Sequence, residues 1–377
     1  MFALAWKFIR YDRAKSVGII TAIVISIFLI GQQIGLLLFL MGLMGNLVGN
    51  ANVKDNQIWV IESQTQNANT LTKIDARYVQ QLQSLNGVEQ AYPVAIGNAE
   101  ARFLDGNTAS VQIIGSDAPD FVIGPNQSRI FQGNINDLSL PEAVSVEFFN
   151  AKSWKTDLHL NKQIELNSKS AQVKLITKNA QAFGGNYVYT NLFNARYYGN
   201  IDPSKVSLIV LNINQNANKQ DVIKNINSQY PNLRAWDTKA LQNSTVKEIL
   251  ISSNMGMSFG TLVVFAMISG FFIIGLTLYS SALDRVKDYG TLKAIGANKS
   301  YVNKLLITQA LLYALIGFSV AFLLLIGFSQ GVKKSGLEID FSFRFISFLL
   351  GITLFISIGG SLFAVRKISK LEPASVF

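Results

Sequence analysis

A chain of 377 residues could hold two or three soluble domains of ordinary size, but 49% hydrophobic residues, 15% charged residues and a mean hydropathy of +0.28 argue against an all-soluble fold. The net charge is +10, from 33 Lys and Arg against 23 Asp and Glu, and a nucleic-acid binder would concentrate such charge on a polar face, so no nucleic-acid partner is expected. The absence of cysteine excludes disulfides and thiolate metal sites, and the single histidine, His159, leaves little for zinc or acid–base catalysis.

Residues 1–16 read as a cytoplasmic amphipathic lead-in helix carrying Lys7, Arg10, Arg13 and Lys15. From Val17 to Met44 no residue is charged, and Gln32 and Gln33 form the one strongly polar pair. As a helix this stretch reaches about 42 Å, against a bilayer core of roughly 30 Å, so residues 17–48 are predicted to be a tilted span or a span prolonged into a stalk. A signal peptide would have a shorter apolar core followed by a small-residue cleavage site, and a retained anchor fits better.

Residues 49–255 read as an extracytoplasmic α+β domain. Gln57–Ser63, Val111–Gly115 and Ser207–Ile213 have the apolar, β-branched pattern of strands. A helix is predicted from an Asp75 cap through Leu85, ended by Asn86-Gly87, and a second over Lys219–Gln229, stopped before Pro231. Two strand–helix–strand units therefore flank a β-rich insert at about 100–200. Asp117 and Asp120 beside Pro119 read as a turn, and no G-x-S-x-G, H-E-x-x-H or P-loop motif occurs, so catalysis and ATP hydrolysis by this chain are not expected.

Three further apolar runs follow, Phe259–Leu283, Leu305–Phe328 and Phe341–Val365, giving spans at 256–283, 305–328 and 341–365, a connector at 284–304, a short turn at 329–340 and a tail at 366–377. Four spans with both termini inside place the N-terminal cluster, the connector (Arg285, Lys287, Lys293, Lys299, Lys304) and the tail (Arg366, Lys367, Lys370) in the cytoplasm. These segments hold 12 basic and four acidic residues, while the outer portions are nearly balanced, so most of the excess charge records topology. The interiors of the spans lack charged residues, which argues against a polar solute path or proton relay; Gln32 and Gln33 are expected to hydrogen-bond between helices.

In the connector, Leu292, Ile295 and Val302 recur at roughly helical spacing, consistent with a short amphipathic helix that either lies on the lipid surface or docks a cytoplasmic partner. Its run Tyr289-Gly290-Thr291-Leu292-Lys293-Ala294-Ile295-Gly296-Ala297, with Asp288 before it, resembles the E-x-G-x-L-(K/R)-A-(I/L/M)-G-A signature of FtsX-like permeases, the membrane subunits of MacB-type ABC transporters. Ala5-Trp6-Lys7-Phe8 is similar to the family's N-terminal helix, and Gln32-Gln33-Ile34-Gly35-Leu36 resembles a glutamine–glycine patch in the first span of DevC-type permeases.

The resemblance implies an α-helical membrane protein with four transmembrane helices and a large MacB-like periplasmic α+β domain, in the bacterial inner membrane. It implies a non-catalytic subunit, with ATP and Mg on a separate ABC ATPase and no cofactor in this chain. A second permease copy in a homodimer, a periplasmic adaptor of the membrane-fusion type and an outer-membrane channel are the further partners implied. Asp288, Tyr289, Gly290, Thr291, Leu292, Lys293, Ala294, Ile295, Gly296 and Ala297 would couple to the ATPase; Gln32, Gln33 and Gly35 would pack spans or the dimer. A lipoprotein-releasing or cell-wall-hydrolase-regulating permease of the same family is an alternative, as is a membrane-anchored sensor with no ATPase.

Overall fold

The structure, a computed structural model, describes residues 1–11, 13–52, 56–117 and 119–369. The tail predicted at 366–377 lies outside the described residues from Lys370 onward, as do Asp12 and Ala118. The chain divides into two compact units: residues 1–39 with 256–377, and residues 40–255.

The first unit begins with α1 (Phe2–Tyr11), whose Ala5 and Ile9, one turn apart, are buried. The next helix, α2 (Arg13–Met44), starts earlier than the predicted span and is apolar all round beyond Lys15, the pattern of a helix that meets lipid or protein on every side.

The second unit opens with the one-turn helix α3 (Asn46–Gly49) and β1 (Gln57–Glu62). Ile58 and Val60 enter one core and Trp59 and Ile61 another, so the strand is buried on both faces. After β2 (Ile74–Asp75) comes α4 (Arg77–Gln83). The cap lies one residue later than expected, at Ala76, because Asp75 ends a short strand, where its Oδ1 accepts from the Arg77 amide at 2.9 Å, and the helix stops at Gln83, two residues before the expected Leu85. The insert follows: β3 (Val88–Arg102), β4 (Thr108–Ser116), β5 (Ile130–Gly133), β6 (Ala143–Glu147), α5 (Asn150–Trp154), β7 (Gln163–Leu166), β8 (Lys169–Thr177), β9 (Tyr187–Asn191) and α6 (Leu192–Gly199). Then come β10 (Lys205–Val206), β11 (Leu208–Ile213), α7 (Lys219–Gln229), β12 (Leu233–Asp237) and α8 (Thr238–Ser252).

Part of the large sheet has the order β12-β1-β11-β3, each neighbour antiparallel. Its two strand–helix–strand units, β1-α4-β3 and β11-α7-β12, are thus interleaved in the split β-α-β manner of ferredoxin-like folds. Leu82 of α4 and Val222 and Ile226 of α7 cover the face made by Ile58, Val60, Ile209 and Leu211. The two predicted units are therefore one half-sheet, and the pattern of side chains along each strand could not reveal the interleaving. Strand β3 is long enough to serve both halves: its Val94–Arg102 stretch pairs with β4, from which the insert's strands build on. Asn167 and Ser168, with φ of 50° and 63°, make the two-residue turn between β7 and β8, the left-handed pair that a type I′ hairpin needs.

Glu147 closes this half. It is 1% exposed, and its carboxylate accepts from Thr177 Oγ1 at 2.7 Å and from the amides of Asn179 and Ala180 at 3.0 and 3.1 Å. Burial outweighs these bonds and raises its pKa above the usual carboxylate value. A raised acid contributes its full stability below the unfolded-state pKa and loses it as pH rises toward the folded-state value. Glu147→Gln is expected to flatten that loss, whereas Glu147→Ala strands three donors and should cost about 2–3 kcal/mol. Urea unfolding across a pH series checks both, and a Glu147→Ala variant as stable as the wild type would contradict the assignment.

The first unit resumes with α9 (Met255–Asp284), α10 (Val286–Ala294), α11 (Lys299–Lys333) and α12 (Phe343–Ser369). Among the described residues four helices are long and apolar enough to cross a membrane: α2, α9, α11 and the Phe343–Leu362 part of α12. The third reaches five residues beyond the predicted Phe328, into the segment expected as a turn. The predicted last span included Arg344, which is exposed in the first turn of α12, so freedom from charge holds for span interiors only.

Candidate functional site

The predicted coupling run lies on α10 and the turn after it. Gly296, at φ 104°, ends the helix: the Ala297 amide donates to Leu292 O at 2.9 Å, the six-to-one bond of a Schellman cap. Asn298 then caps α11, its side chain accepting from the Tyr301 amide at 2.8 Å. A glycine and an asparagine thus make a sharp reversal that holds α10 as a separate short helix.

One face of α10 is bolted down. Tyr289 is 2% exposed and its ring stacks on Phe8 of α1, centroids 5.8 Å apart and planes 26° from parallel. The Arg285 guanidinium lies 4.9 Å from the Phe8 ring centre and 5.7 Å from that of Tyr11, and its Nη2 donates to Phe8 O at 2.9 Å. Lys15 forms an ion pair with Asp284, while Ser16 Oγ donates to Ile9 O at 2.7 Å and bonds the Tyr313 hydroxyl at 2.8 Å. Burial pushes the Tyr289 phenol up to about 12, with the Arg285 charge pulling the other way. Tyr289 is therefore neutral, and it acts as a packing group.

The opposite face is bare. Lys287, Asp288 and Thr291 are exposed, Thr291 Oγ1 donating to Lys287 O at 2.9 Å, and Ile295 is 80% exposed. Gly290 is buried and Leu292 partly buried against the helix core; Gly296 is exposed and Ala297 half-buried. Lys293 and Ala294 belong to α10, and their side chains lie outside the described ones. The apolar face expected through Leu292, Ile295 and Val302 is corrected here: Val302 is buried within α11, whereas Ile295 points away, because the Gly296 reversal breaks the helical phase between them.

The other predicted group lies on α2. Gln32 and Gln33 are partly buried and form no side-chain hydrogen bond among the described residues, and Gly35 is buried. A Cβ at Gly35 would come within 2.9 Å of Ile339 Cγ2, so a glycine there permits close packing. These residues are about 25 Å along the helix from Ser16, so they do not join the α10 site. Phe8, Arg285 and Tyr313, which make the mount, carried no sequence signal for that role: nothing in their local spacing marks partners so distant in the chain. Among the described residues the site shows an exposed Ile amid polar groups, in the turn that follows a short helix packed along its other face.

Residues 260–373 match a family model described as FtsX-like permease C-terminal. No curated protein matches the sequence. Among solved structures, the periplasmic region of MacB from Actinobacillus actinomycetemcomitans aligns at 10% identity and a TM-score of 0.38, over 52% of this chain and 94% of that one. The extracellular domain of the noncanonic ABC-type transporter YknZ from Gram-positive bacteria aligns at 12% identity and a TM-score of 0.36, over 48% of this chain and 100% of that one.

Proposed function

We propose, from the match of residues 260–373 to the FtsX-like permease C-terminal model, that this chain is the non-catalytic membrane subunit of an ABC exporter of the MacB and DevC kind, worked by a separate ATPase that binds ATP and Mg. The observation that carries the reading is α10, fixed on its Tyr289 face and bare on its Thr291 and Ile295 face. A helix held this way converts a push on its free face into movement of the helices it is bolted to, and a loosely tethered one would absorb the push.

Two copies of the chain and two ATPases make the working unit. Closure of the ATPases around ATP presses on α10, and the Phe8–Tyr289–Arg285 clamp passes the load to α1 and α11. The α2 helix is unbroken from Arg13 to Met44, so its displacement is carried along the chain into residues 40–255. Those residues then move an extracytoplasmic adaptor and an outer-membrane channel, and substrate is expelled without crossing the bilayer through this chain. The uncharged span interiors support this last point. The basic clusters near Lys7 to Lys15 and Arg285 to Lys304 support a cytoplasmic α10 and cytoplasmic termini in a bacterial inner membrane.

The chain has no cysteine, so a single thiol can be placed at will. Thr291→Cys, carrying a photo-crosslinker, is expected to capture the ATPase in native membranes. A Thr291→Cys probe that captures no ATPase, or a purified chain that hydrolyses ATP with no other subunit, would overturn the reading.

A further inference from the structure

Helix α1 has two edges that the clamp does not use. Ala5 and Ile9 are buried and Leu4 and Phe8 pack beside them, which leaves Phe2 65% and Trp6 41% exposed, one turn apart on a shared edge. Lys7 and Arg10, three residues apart on the next edge, are exposed and form no ion pair among the described residues. Tyr11 ends the helix and α2, long and apolar enough to cross a membrane, starts at Arg13, so α1 adjoins the end of that span. Aromatic rings beside exposed cations next to a span end are the chemistry of an interfacial helix on anionic lipid, where each basic residue strengthens the attraction about five-fold.

The boundary contact has a mechanical continuation. Phe8 lies on the packed side of the same three-turn helix, its ring stacked on Tyr289, with Arg285 over the ring and bonded to its carbonyl. A change in how α1 seats on the membrane therefore reaches α10 through the Phe8 ring on Tyr289 and through Arg285, which holds the Phe8 carbonyl and lies over the Phe8 and Tyr11 rings.

We propose that α1 is an anionic-lipid sensor: Phe2 and Trp6 seat in the interface, Lys7 and Arg10 hold anionic headgroups, and Phe8 relays that seating to α10. Only the last step rests on the ATPase-coupling role of α10. Phe8 is a positioning residue, acting through Tyr289 and Arg285.

The test uses the full chain in phosphatidylcholine vesicles containing phosphatidylglycerol. The other tryptophans, Trp59, Trp154 and Trp236, lie in residues 40–255, so the difference between wild type and Trp6→Phe isolates the emission of Trp6. Brominated phosphatidylglycerol is expected to quench Trp6 more than the same fraction of brominated phosphatidylcholine, by a preference that falls about five-fold for each of Lys7→Gln and Arg10→Gln. Equal quenching by the two lipids, or a preference unchanged in the double variant, overturns the headgroup site; no quenching by either overturns the interfacial seat. These readings need no ATPase and stand or fall apart from the proposed function. With the ATPase added, phosphatidylglycerol should change its stimulation by the wild type and leave Phe8→Leu, which keeps the burial and loses the stack, insensitive; Phe8→Tyr should restore the response. A lipid response that survives Phe8→Leu overturns the relay.

Discussion

Ile295→Asp is expected to abolish recovery of the ATPase with the permease while leaving the chain inserted and folded. Ile295 is 80% exposed beside the bare face of α10 and makes no core contact, so a charge there costs the isolated chain almost nothing. At an interface the same change removes an apolar anchor and buries a carboxylate, a loss of about 2 kcal/mol or more, roughly a thirty-fold weakening. Affinity capture of the ATPase at matched expression measures it. Capture at the wild-type level would remove Ile295 from the docking surface. Gly290→Trp with Leu292→Asp should act differently. Both positions face the helix core, so this pair damages the mount itself and should lower stability together with coupling. The motif residues therefore separate into those that hold α10 and those that it offers, a distinction that transport assays alone would miss.

Gly360→Leu is expected to prevent α9 and α12 from packing. A Cβ at Gly360 would meet Gly275 N at 2.9 Å, Gly275 Cα at 3.1 Å and Phe271 O at 3.3 Å. All three are backbone atoms, so no rotamer change can relieve the clash and the helices must part. The expected cost is about 3 kcal/mol, the upper end for overpacking, and Gly360→Ala should show a smaller part of it. Gly327→Leu is the control, since nothing lies within 4 Å of its Cβ position. Thermal unfolding in detergent, followed by a fluorescent dye or by loss of monodisperse protein, separates the two. A Gly360→Leu chain that melts with the wild type would mean that α9 and α12 do not meet here.

The span count, α7 and β11 were legible in the sequence because each is written in neighbouring residues. An uncharged apolar run has few stable fates, and Lys219–Gln229 carries its own cap in Asn218 and its own stop in the Pro231 that follows. The run from Asp288 to Ala297 stood out in the same way, as a contiguous string. How its residues are placed did not. Tyr289 and Ile295 are both apolar members of one motif, yet one is buried under an aromatic ring and the other stands in solvent.

That division depends on Phe8 and Arg285, 277 positions apart in the chain, and on a glycine whose left-handed φ breaks the helical phase. The interleaving of β1-α4-β3 with β11-α7-β12 is of the same kind: each half is periodic by itself, and only pairing across the insert decides which strand lies between which. The sequence by itself determined how many helices are apolar enough to span a membrane, and which loop bears the motif. The tertiary structure decided which face of that loop is anchored and which is free. The physical reason is that hydropathy and capping act between near neighbours, whereas burial is set by whatever distant surface the folded chain brings up against a side chain.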